Sequence, residues 1–245
     1  MRIPRIYIDQ PLNSGANVML DGSAARHIAS ALRMTPGQEI VLFNGLGGEY
    51  TAELSTVGKS QVTALVGDGR EVDRESALKL HLAIGVSRGE RMDWIVQKAT
   101  ELGVSAITPL FTKRTEVKLS GERLDKKIRH WQQVAISACE QCHRNRLPTI
   151  HNPQSLDHWL SENTTTSSEL KLVLHHRTEK RLTQYQAPES ALILVGPEGG
   201  LSESEINNAM AQGFNALALG PRVMRTETAP LAAISILQSL WGDMG

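Results

Sequence analysis

Two glycine-rich segments near the C-terminal end constrain the fold of this chain more than any other feature. They are residues 196–202, with the sequence GPEGGLS, and residues 219–229, with the sequence LGPRVMRTETA. Each follows a short apolar run typical of a buried strand, and each precedes a helical pattern. Because ligands of parallel α/β sheets bind beyond the carboxyl ends of the strands, we expect the two loops to form two walls of one pocket.

The glycine loops lack the common phosphate-binding patterns. Neither is followed by the Gly-Lys-Ser/Thr of a phosphate loop, and the chain contains no Gly-x-Gly-x-x-Gly. Glycines in tight turns let a ligand approach the backbone closely. The pattern therefore predicts a pocket lined by backbone atoms, without phosphate chemistry.

Length and composition indicate an ordinary folded chain. The 245 residues suffice for one large domain or two smaller ones, and 21% of them are charged with a formal net charge of zero. A nucleic-acid partner would therefore have to bind a local basic patch. The chain has no apolar run near the roughly 20 residues of a membrane span and no signal-peptide pattern, and it has only two cysteines, so we expect a cytoplasmic location.

The organisation changes near residue 72. Before it, short apolar runs at 40–43, 50–54 and 61–66 alternate with turn signals, which predicts a small β-barrel or sandwich with one helix over 24–34. The charged stretch 68–75 is the best linker candidate.

After residue 72, strand and helix patterns alternate, which predicts an α/β domain with a mainly parallel sheet. Ser202 begins a capping box, and Gly213 ends the helix that follows. Thr228 is the predicted cap of the last helix. The apolar stripe of that helix is predicted to contain Ala233, Ile236, Leu237, Leu240 and Trp241.

The sequence Cys139-Glu-Gln-Cys142-His143 matches haem-attachment and redox patterns. Both cysteines, however, fall at the C-terminal end of a predicted helix, where the helix dipole disfavours a thiolate. Neither they nor His175-His176 have further ligands at metal-site spacing, so we predict no metal site.

Basic residues are concentrated in the middle of the chain, where residues 88–146 contain twelve Lys or Arg against seven Asp or Glu. Those on the predicted helix at 123–129 are typical of a solvated face, whereas basic residues in loops are candidate RNA-phosphate ligands. The candidates are Arg2, Arg5, Arg88, Lys113, Arg114, Arg144 and Arg146.

Taken together, these segments resemble the ribosomal RNA small subunit methyltransferase E family. Beyond the two glycine motifs, RIPR at 2–5, KATELG at 98–103, ITP at 107–109 and CEQCHRNR at 139–146 resemble family segments in family order. One departure is Met224, where the family usually has leucine. This exchange conserves volume and should keep the pocket wall apolar.

The resemblance implies an α/β fold with two domains. Residues 1–72 would form a PUA-like β-barrel that binds RNA, and residues 73–245 a SPOUT-type methyltransferase domain with a parallel sheet and a C-terminal trefoil knot at about 170–245. It also implies a homodimer. The implied partner is small-subunit (16S) rRNA, either naked or within an assembled 30S subunit.

The resemblance further implies methylation of N3 of a uridine, with S-adenosyl-L-methionine (SAM) as the methyl donor. Arg225 would stabilise a uracil anion, Glu198 would balance the sulfonium, and Glu198 or Glu227 would take the proton. Alternatives are a non-catalytic RNA-binding or ribosome-assembly factor, or a SPOUT methyltransferase acting on tRNA. The implied SAM ligands are Leu174, His175, Leu194, Gly196, Pro197, Glu198, Gly199, Leu219, Gly220, Val223, Met224, Arg225, Thr226 and Thr228.

Overall fold

A computed structural model of the chain describes residues 3–20, 22–162, 169–175 and 182–245, apart from the side chain of Thr183. The predicted RNA ligand Arg2, His176 and residues 176–181 of the predicted knot region lie outside the described residues. The chain divides into two compact units. The N-terminal unit contains Met1–Glu75 and Ile136–Leu147, and the C-terminal unit contains Ser76–Ala135 and Pro148–Gly245.

The N-terminal unit is built on a five-stranded sheet. Its strands are β1 (Arg5–Tyr7), β2 (Asn17–Leu20), β3 (Glu39–Phe43), β4 (Glu49–Val57) and β5 (Val62–Arg70), in the order β1-β3-β4-β5-β2. Only the β1–β3 pair is parallel among these strands. Their inward residues form one apolar core that also takes Ala25 and Ile28. The sequence predicted β3, β4 and β5 but missed β1 and β2, because these strands are only three and four residues long.

The helix predicted over 24–34 is shorter and less regular than expected. Helix α1 (Gly22–Arg26) continues into one π-helical turn, His27–Ala31, and Arg33 then adopts a φ of 52°. Residues 136–147, which comprise the last part of α3 (Gly121–Cys142) and the loop after it, also belong to this unit. The sequence placed this segment in the second domain.

Two arginines that were expected to contact RNA phosphates are buried in the N-terminal unit. Arg5 donates to Glu49 Oε2 (2.6 Å) and to Asn145 Oδ1, and its guanidinium lies 5.0 Å from the centre of the Phe43 ring. Arg144 forms a two-point pair with Glu75, with Nε donating to Oε1 at 3.0 Å. The two residues are 7% and 4% exposed. This placement corrects the expectation of phosphate contact, because both guanidinium groups are used to join segments inside the unit.

The paired cysteines lie at the end of α3. Cys139 is buried, and its Sγ donates to the Arg146 carbonyl at 3.7 Å. A hydrogen bond with Cys142 and burial raise the pKa of the Cys139 thiol. A thiol held in its protonated form is a poor redox nucleophile, in agreement with the interpretation of the sequence.

The C-terminal unit contains a seven-stranded parallel sheet. Its strands are β6 (Lys79–Gly85), β7 (Ala106–Phe111), β8 (Thr149–Ile150), β9 (Gln154–Ser155), β10 (Glu169–Leu174), β11 (Ser190–Val195) and β12 (Asn215–Leu217). The strand order is β12-β10-β11-β6-β7-β8, with β9 paired to β7. Every one of these pairings is parallel, as the alternating pattern predicted.

Helices cover both faces of this sheet. They are α2 (Glu90–Glu101), α3, α4 (Leu156–Glu162), α5 (Glu203–Ala211) and α6 (Thr228–Trp241), with one 3₁₀ turn at Leu182–Gln184. One apolar cluster includes residues of α2 and α6, and a second includes residues of α4 and α5. None of the helices in the described parts of the chain is long and apolar enough to cross a membrane.

Helix α6 presents a different face to the core than the sequence suggested. Its N-cap is Glu227, which makes no side-chain cap, rather than Thr228. Ile236 and Leu240 are 40% and 44% exposed, whereas Ile234 and Gln238 are buried. The face that contains Gln238 can be buried because the side-chain amide of Gln238 forms hydrogen bonds inside the unit. It accepts from Ser76 Oγ (2.7 Å) and donates to the Leu102 carbonyl (2.9 Å).

A buried histidine on β6 should make folding stability sensitive to mild acid. His81 Nε2 lies 2.8 Å from Thr108 Oγ1, and its ring is 5.5 Å from that of His151. Burial and the nearby His151 lower the pKa of His81 from 6.5 to about 4. Between these values the unfolded chain binds a proton that the native state does not bind. Lowering the pH from 8 to 5 should therefore cost about 2 kcal/mol through His81 alone.

Urea unfolding at pH 5 to 8 measures this effect. His81→Gln keeps a neutral polar group near Thr108 and should lose about 2 kcal/mol of the wild-type pH dependence. His158→Gln is the matched control, because that imidazole is 60% exposed. Equal pH dependence in wild type and His81→Gln would contradict the assignment.

Candidate active site

The carboxyl ends of three neighbouring strands form one cleft of about 420 Å³. Strand β10 lies between β11 and β12, so the loops after Leu174, Val195 and Leu217 leave the sheet side by side. The two glycine loops form walls of this cleft, as their positions after strands predicted. The predicted SAM ligands that line it are Leu174, His175, Gly196, Pro197, Glu198, Gly199, Leu219, Gly220, Val223, Met224 and Thr226.

Three predicted ligands are not part of this lining. Leu194 is fully buried within β11, while Arg225 and Thr228 are exposed near the start of α6. The sequence did not mark the other lining residues as SAM ligands, although Arg114 among them was a predicted RNA ligand, and several of them are apolar. They are Arg114, Val195, Gly200, Leu201, Glu203, Ile206, Leu217, Ala218, Arg222 and Ala229.

The first glycine loop is packed against backbone on two sides. A Cβ on Gly196 would lie 2.6 Å from the Gly200 carbonyl carbon and from the Leu201 nitrogen. A Cβ on Gly85, at the end of β6, would lie 2.4 Å from Pro197 Cδ. The loop closes with a hydrogen bond from the Gly200 N–H to the Pro197 carbonyl at 2.7 Å. Glycine is required at 85 and 196 because no side chain fits there.

Two basic residues that are predicted to bind RNA contact this loop and the start of α5. Arg114 Nη1 donates to the carbonyls of Gly199 (2.8 Å) and Leu201 (3.3 Å). The Lys113 N–H donates to Glu205 Oε1 at 2.7 Å, and its Nζ donates to Ser204 Oγ at 2.8 Å. Both side chains are thus engaged with the loop and with the start of α5. The contact of Lys113 and Arg114 with RNA stays a prediction.

Glu198 is a fixed anion at the cleft. The Arg88 N–H and Arg91 Nη1 each donate to its Oε1 at 2.9 Å. Burial raises the pKa of Glu198, but hydrogen bonds from the Arg88 N–H, from its own N–H and from the Arg91 guanidinium lower it further, and the net shift is downward. A carboxylate in this state is a weak proton acceptor.

The second glycine loop offers unpaired backbone groups and exposed side chains. Gly220 has a φ of +90°, and Val223 is 82% exposed. Within the described chain, the N–H groups of Leu219, Val223 and Met224 donate to no protein acceptor. The Arg225 carbonyl accepts from the N–H groups of Thr228 and Ala229, while its side chain is exposed. This loop can therefore bind a ligand through its backbone.

The comparisons with known proteins identify the family of this chain. An RNA methyltransferase domain model matches residues 74–238, and an RNA methyltransferase PUA domain model matches residues 20–67. The chain is 35% identical to ribosomal RNA small subunit methyltransferase E of Buchnera aphidicola, over 99% of this chain and 98% of the relative. The chain belongs to the ribosomal RNA small subunit methyltransferase E family. Its Bacillus subtilis relative is 32% identical, over 93% and 92% of the two chains.

Two solved structures are similar to this methyltransferase E family member over nearly its whole length. The Neisseria gonorrhoeae ribosomal RNA small subunit methyltransferase E bound to SAM has a TM-score of 0.94 and 39% identity, covering 100% of both chains. A Legionella pneumophila protein described as a methyltransferase in complex with SAM has a TM-score of 0.95 and 43% identity, covering 99% and 100%. The N-terminal unit is accordingly PUA-like, and the C-terminal unit is a methyltransferase domain.

For this methyltransferase E family member, the sequence reasoning missed Arg91 as a site residue. Arg91 lies in the first turn of α2, and besides Glu198 its Nε lies 3.9 Å from Glu227 Oε2. The remaining RNA candidates differ from one another. Arg88 is exposed and pairs with Glu116, while Arg146 is exposed beside Gly47. No local pattern marks Arg91, because its partners lie more than 100 residues further along the chain.

Proposed function

We propose that this protein transfers the methyl group of SAM to N3 of a uridine in small-subunit rRNA, in the cytoplasm. The observation that carries the proposal is the cleft beyond β10, β11 and β12, which is lined by both glycine loops and lies within the part of the chain that matches the RNA methyltransferase domain. Full-length relatives with the same family name, and a relative solved with bound SAM, support both the reaction and the methyl donor.

The cleft suits SAM by shape and by chemistry. Apolar side chains of Leu201, Ile206 and Met224 line it, which suits an adenine ring. The unpaired N–H groups of the second loop can bind the polar atoms of the ligand, and the Glu198 carboxylate complements a cation. SAM supplies an electrophilic methyl group on a sulfonium. The protein has to position the attacking atom in line with that methyl group, so orientation dominates catalysis.

Methylation at N3 requires the loss of a proton from uridine. We propose that Glu227 accepts it, because its carboxylate lies 3.9 Å from Arg91, whereas Glu198 is engaged at 2.9 Å. The exposed Arg225 guanidinium follows Met224, which lines the cleft. There it can stabilise negative charge on a uracil oxygen. Glu198 then serves as a fixed counter-charge for the sulfonium.

We further propose that two copies of the chain associate through α6. Ile236 and Leu240 lie four residues apart on α6 and are 40% and 44% exposed, which makes an apolar stripe on one side of the helix, and Met244, which is 51% exposed, lies just beyond the helix end at Trp241. The family resemblance implies a homodimer, and this stripe is a surface that a second copy can cover. Sedimentation equilibrium should give a dimer for the wild type and a monomer for Leu240→Glu. The trefoil knot stays a prediction of the resemblance.

Mass spectrometry of 16S rRNA and tRNA tests the reaction. RNA from a strain lacking the gene should lose one N3-methyluridine in 16S rRNA, and the purified protein with SAM should restore it. The experiment is run on naked rRNA and on 30S subunits, because the proposed partner is either one. Loss of a tRNA modification would favour the alternative substrate. Absence of SAM binding in calorimetry would favour a non-catalytic RNA-binding factor.

Arg225→Ala tests the proposed anion-stabilising group. We expect kcat to fall at least about tenfold while the Kd for SAM stays within about twofold, because a charge that acts in the transition state contributes little to ground-state binding. Single-turnover methylation of 16S rRNA with a parallel SAM titration measures both quantities. An unchanged kcat with SAM bound would show that Arg225 has no catalytic role.

A further inference from the structure

Arg91 joins two walls of the cleft through two carboxylates. Glu198 belongs to the loop after β11, and Glu227 immediately precedes α6. Arg91 Nη1 lies 2.9 Å from Glu198 Oε1, and Arg91 Nε lies 3.9 Å from Glu227 Oε2. The same oxygen of Glu198 also accepts the Arg88 N–H from the segment just before α2. One guanidinium thus connects three segments that are far apart in sequence.

From this geometry we infer that Arg91 is a positioning residue for SAM, holding the two glycine loops at a fixed separation through Glu198 and Glu227. The inference rests on the proposed function of the cleft. It gives the first turn of α2 a role in cofactor affinity, although neither Arg91 nor any other residue of α2 lines the cleft. The first loop is also held by Arg114, whereas Arg91 is the residue that contacts both loop carboxylates.

The pair geometry makes this a positioning role rather than a stabilising one. The side chains of Arg91, Glu198 and Glu227 are 42%, 31% and 23% exposed. Ion pairs this exposed contribute little to global stability. They can nevertheless restrict loop separation, and a ligand that binds both loops then loses less conformational entropy on binding. Removing Arg91 should therefore weaken ligand binding without unfolding the unit.

The three charges also predict how ligands of different charge will respond. Two carboxylates and one guanidinium give this group a net charge of −1. SAM carries a sulfonium, whereas its demethylated product S-adenosylhomocysteine (SAH) has a neutral sulfur. A loss of loop positioning weakens the binding of both ligands by the same factor, whereas a change in the charge of this group alters the ratio of their Kd values. The two ligands together therefore separate the two effects.

Calorimetric titration of the full-length protein with SAM and with SAH tests the inference. Arg91→Gln should raise the Kd values of SAM and SAH about tenfold each, and it should change Tm by about 2 °C or less. The ratio of the SAH Kd to the SAM Kd should stay equal or become larger. Glu198→Gln should raise both Kd values by a similar factor and lower the ratio of the SAH Kd to the SAM Kd. The double variant should bind about as weakly as either single variant, because both remove the same connection. Arg91→Lys keeps the charge and should recover part of the affinity.

Lys98→Gln is the matched control. Lys98 lies about two turns further along α2 and pairs with Glu101 at 2.8 Å, so this variant also removes one partly buried, ion-paired cation from the same helix. Its Kd values should equal those of the wild type. The inference would be overturned if Arg91→Gln bound SAM with the wild-type Kd. It would also be overturned if the Kd increases of the two single variants multiplied in the double variant. Failure of the wild type to bind SAM would overturn the proposed function itself, and the inference with it.

Discussion

Gly196→Ala is expected to abolish detectable SAM binding, with the Kd raised at least about 100-fold, which corresponds to about 3 kcal/mol. The added Cβ would lie 2.6 Å from the Gly200 carbonyl carbon and the Leu201 nitrogen, and 2.9 Å from Gly200 Cα. All three atoms belong to the backbone, so no side chain can rotate away and the loop itself has to open. Overpacking of this kind typically costs 1–3 kcal/mol in stability as well.

Calorimetric titration with SAM and thermal unfolding measure the two consequences. Gly220→Ala in the second loop is the comparison variant, because its Cβ meets nothing within 4 Å and only the positive φ of +90° is strained. That strain is about 1–2 kcal/mol, so its Kd should rise tenfold or somewhat more. Gly37→Ala places similar strain in the N-terminal unit, with a φ of +86°, and should leave the SAM Kd unchanged. A Gly196→Ala protein with the wild-type Kd would refute this account of the loop.

The position of the pocket could be predicted from sequence because its determinants are local. Apolar runs of four or five residues that are followed by glycine indicate buried strands that end in turns, and β11 and β12 match the runs at 191–195 and 216–219 to within two residues. Their parallel pairing with β10 then brings the loops together. Local patterns thus sufficed to place both glycine loops at the pocket, whereas the eleven lining residues named individually came from the family resemblance.

The partners of charged side chains could not be predicted in this way. Lys113 and Arg114 contact residues 85 to 92 positions away, and Arg5 contacts Asn145 at a separation of 140. A basic residue in a loop has the same sequence signature whether it faces a phosphate or a buried carboxylate. Only the fold shows that Glu49 and Glu75 lie inside the N-terminal unit beside Arg5 and Arg144.

Helix α6 shows a related limit of periodicity. A 3.6-residue repeat predicts that one face is buried, but an apolar helix such as Thr228–Trp241 offers several such faces. The buried face contains Gln238, a residue that hydropathy alone assigns to solvent. Its partners Ser76 and Leu102 decide the rotation, and both lie more than 130 residues earlier in the chain.

Glu205→Ala should lower the free energy of unfolding by about 3 kcal/mol. Glu205 is 2% exposed, and its carboxylate accepts from the Lys113 N–H (2.7 Å), the Ser202 N–H (2.7 Å) and Ser202 Oγ (2.8 Å). Removing the carboxylate leaves the N–H groups of Lys113 and Ser202 without an acceptor, while Ser202 Oγ still lies 3.1 Å from Ser204 Oγ. Urea unfolding measures the loss. The control is Ser204→Ala, which removes the exposed contacts of Ser204 Oγ with Lys113 Nζ (2.8 Å) and with Ser202 Oγ (3.1 Å) and should change stability by less than about 0.5 kcal/mol.

The same carboxylate should contribute an acid-dependent part of stability. Burial raises the pKa of Glu205, but hydrogen bonds from the Lys113 and Ser202 N–H groups and from the Ser202 hydroxyl lower it, and the net shift is downward from 4.5. Its stabilisation is therefore complete above pH 4.5 and is lost as the pH falls through the native pKa. Glu205→Ala should unfold with less pH dependence than the wild type below pH 4.5. Equal stability of Glu205→Ala and wild type at pH 7 would mean that the first glycine loop does not need this acceptor, and that Arg114 alone holds it.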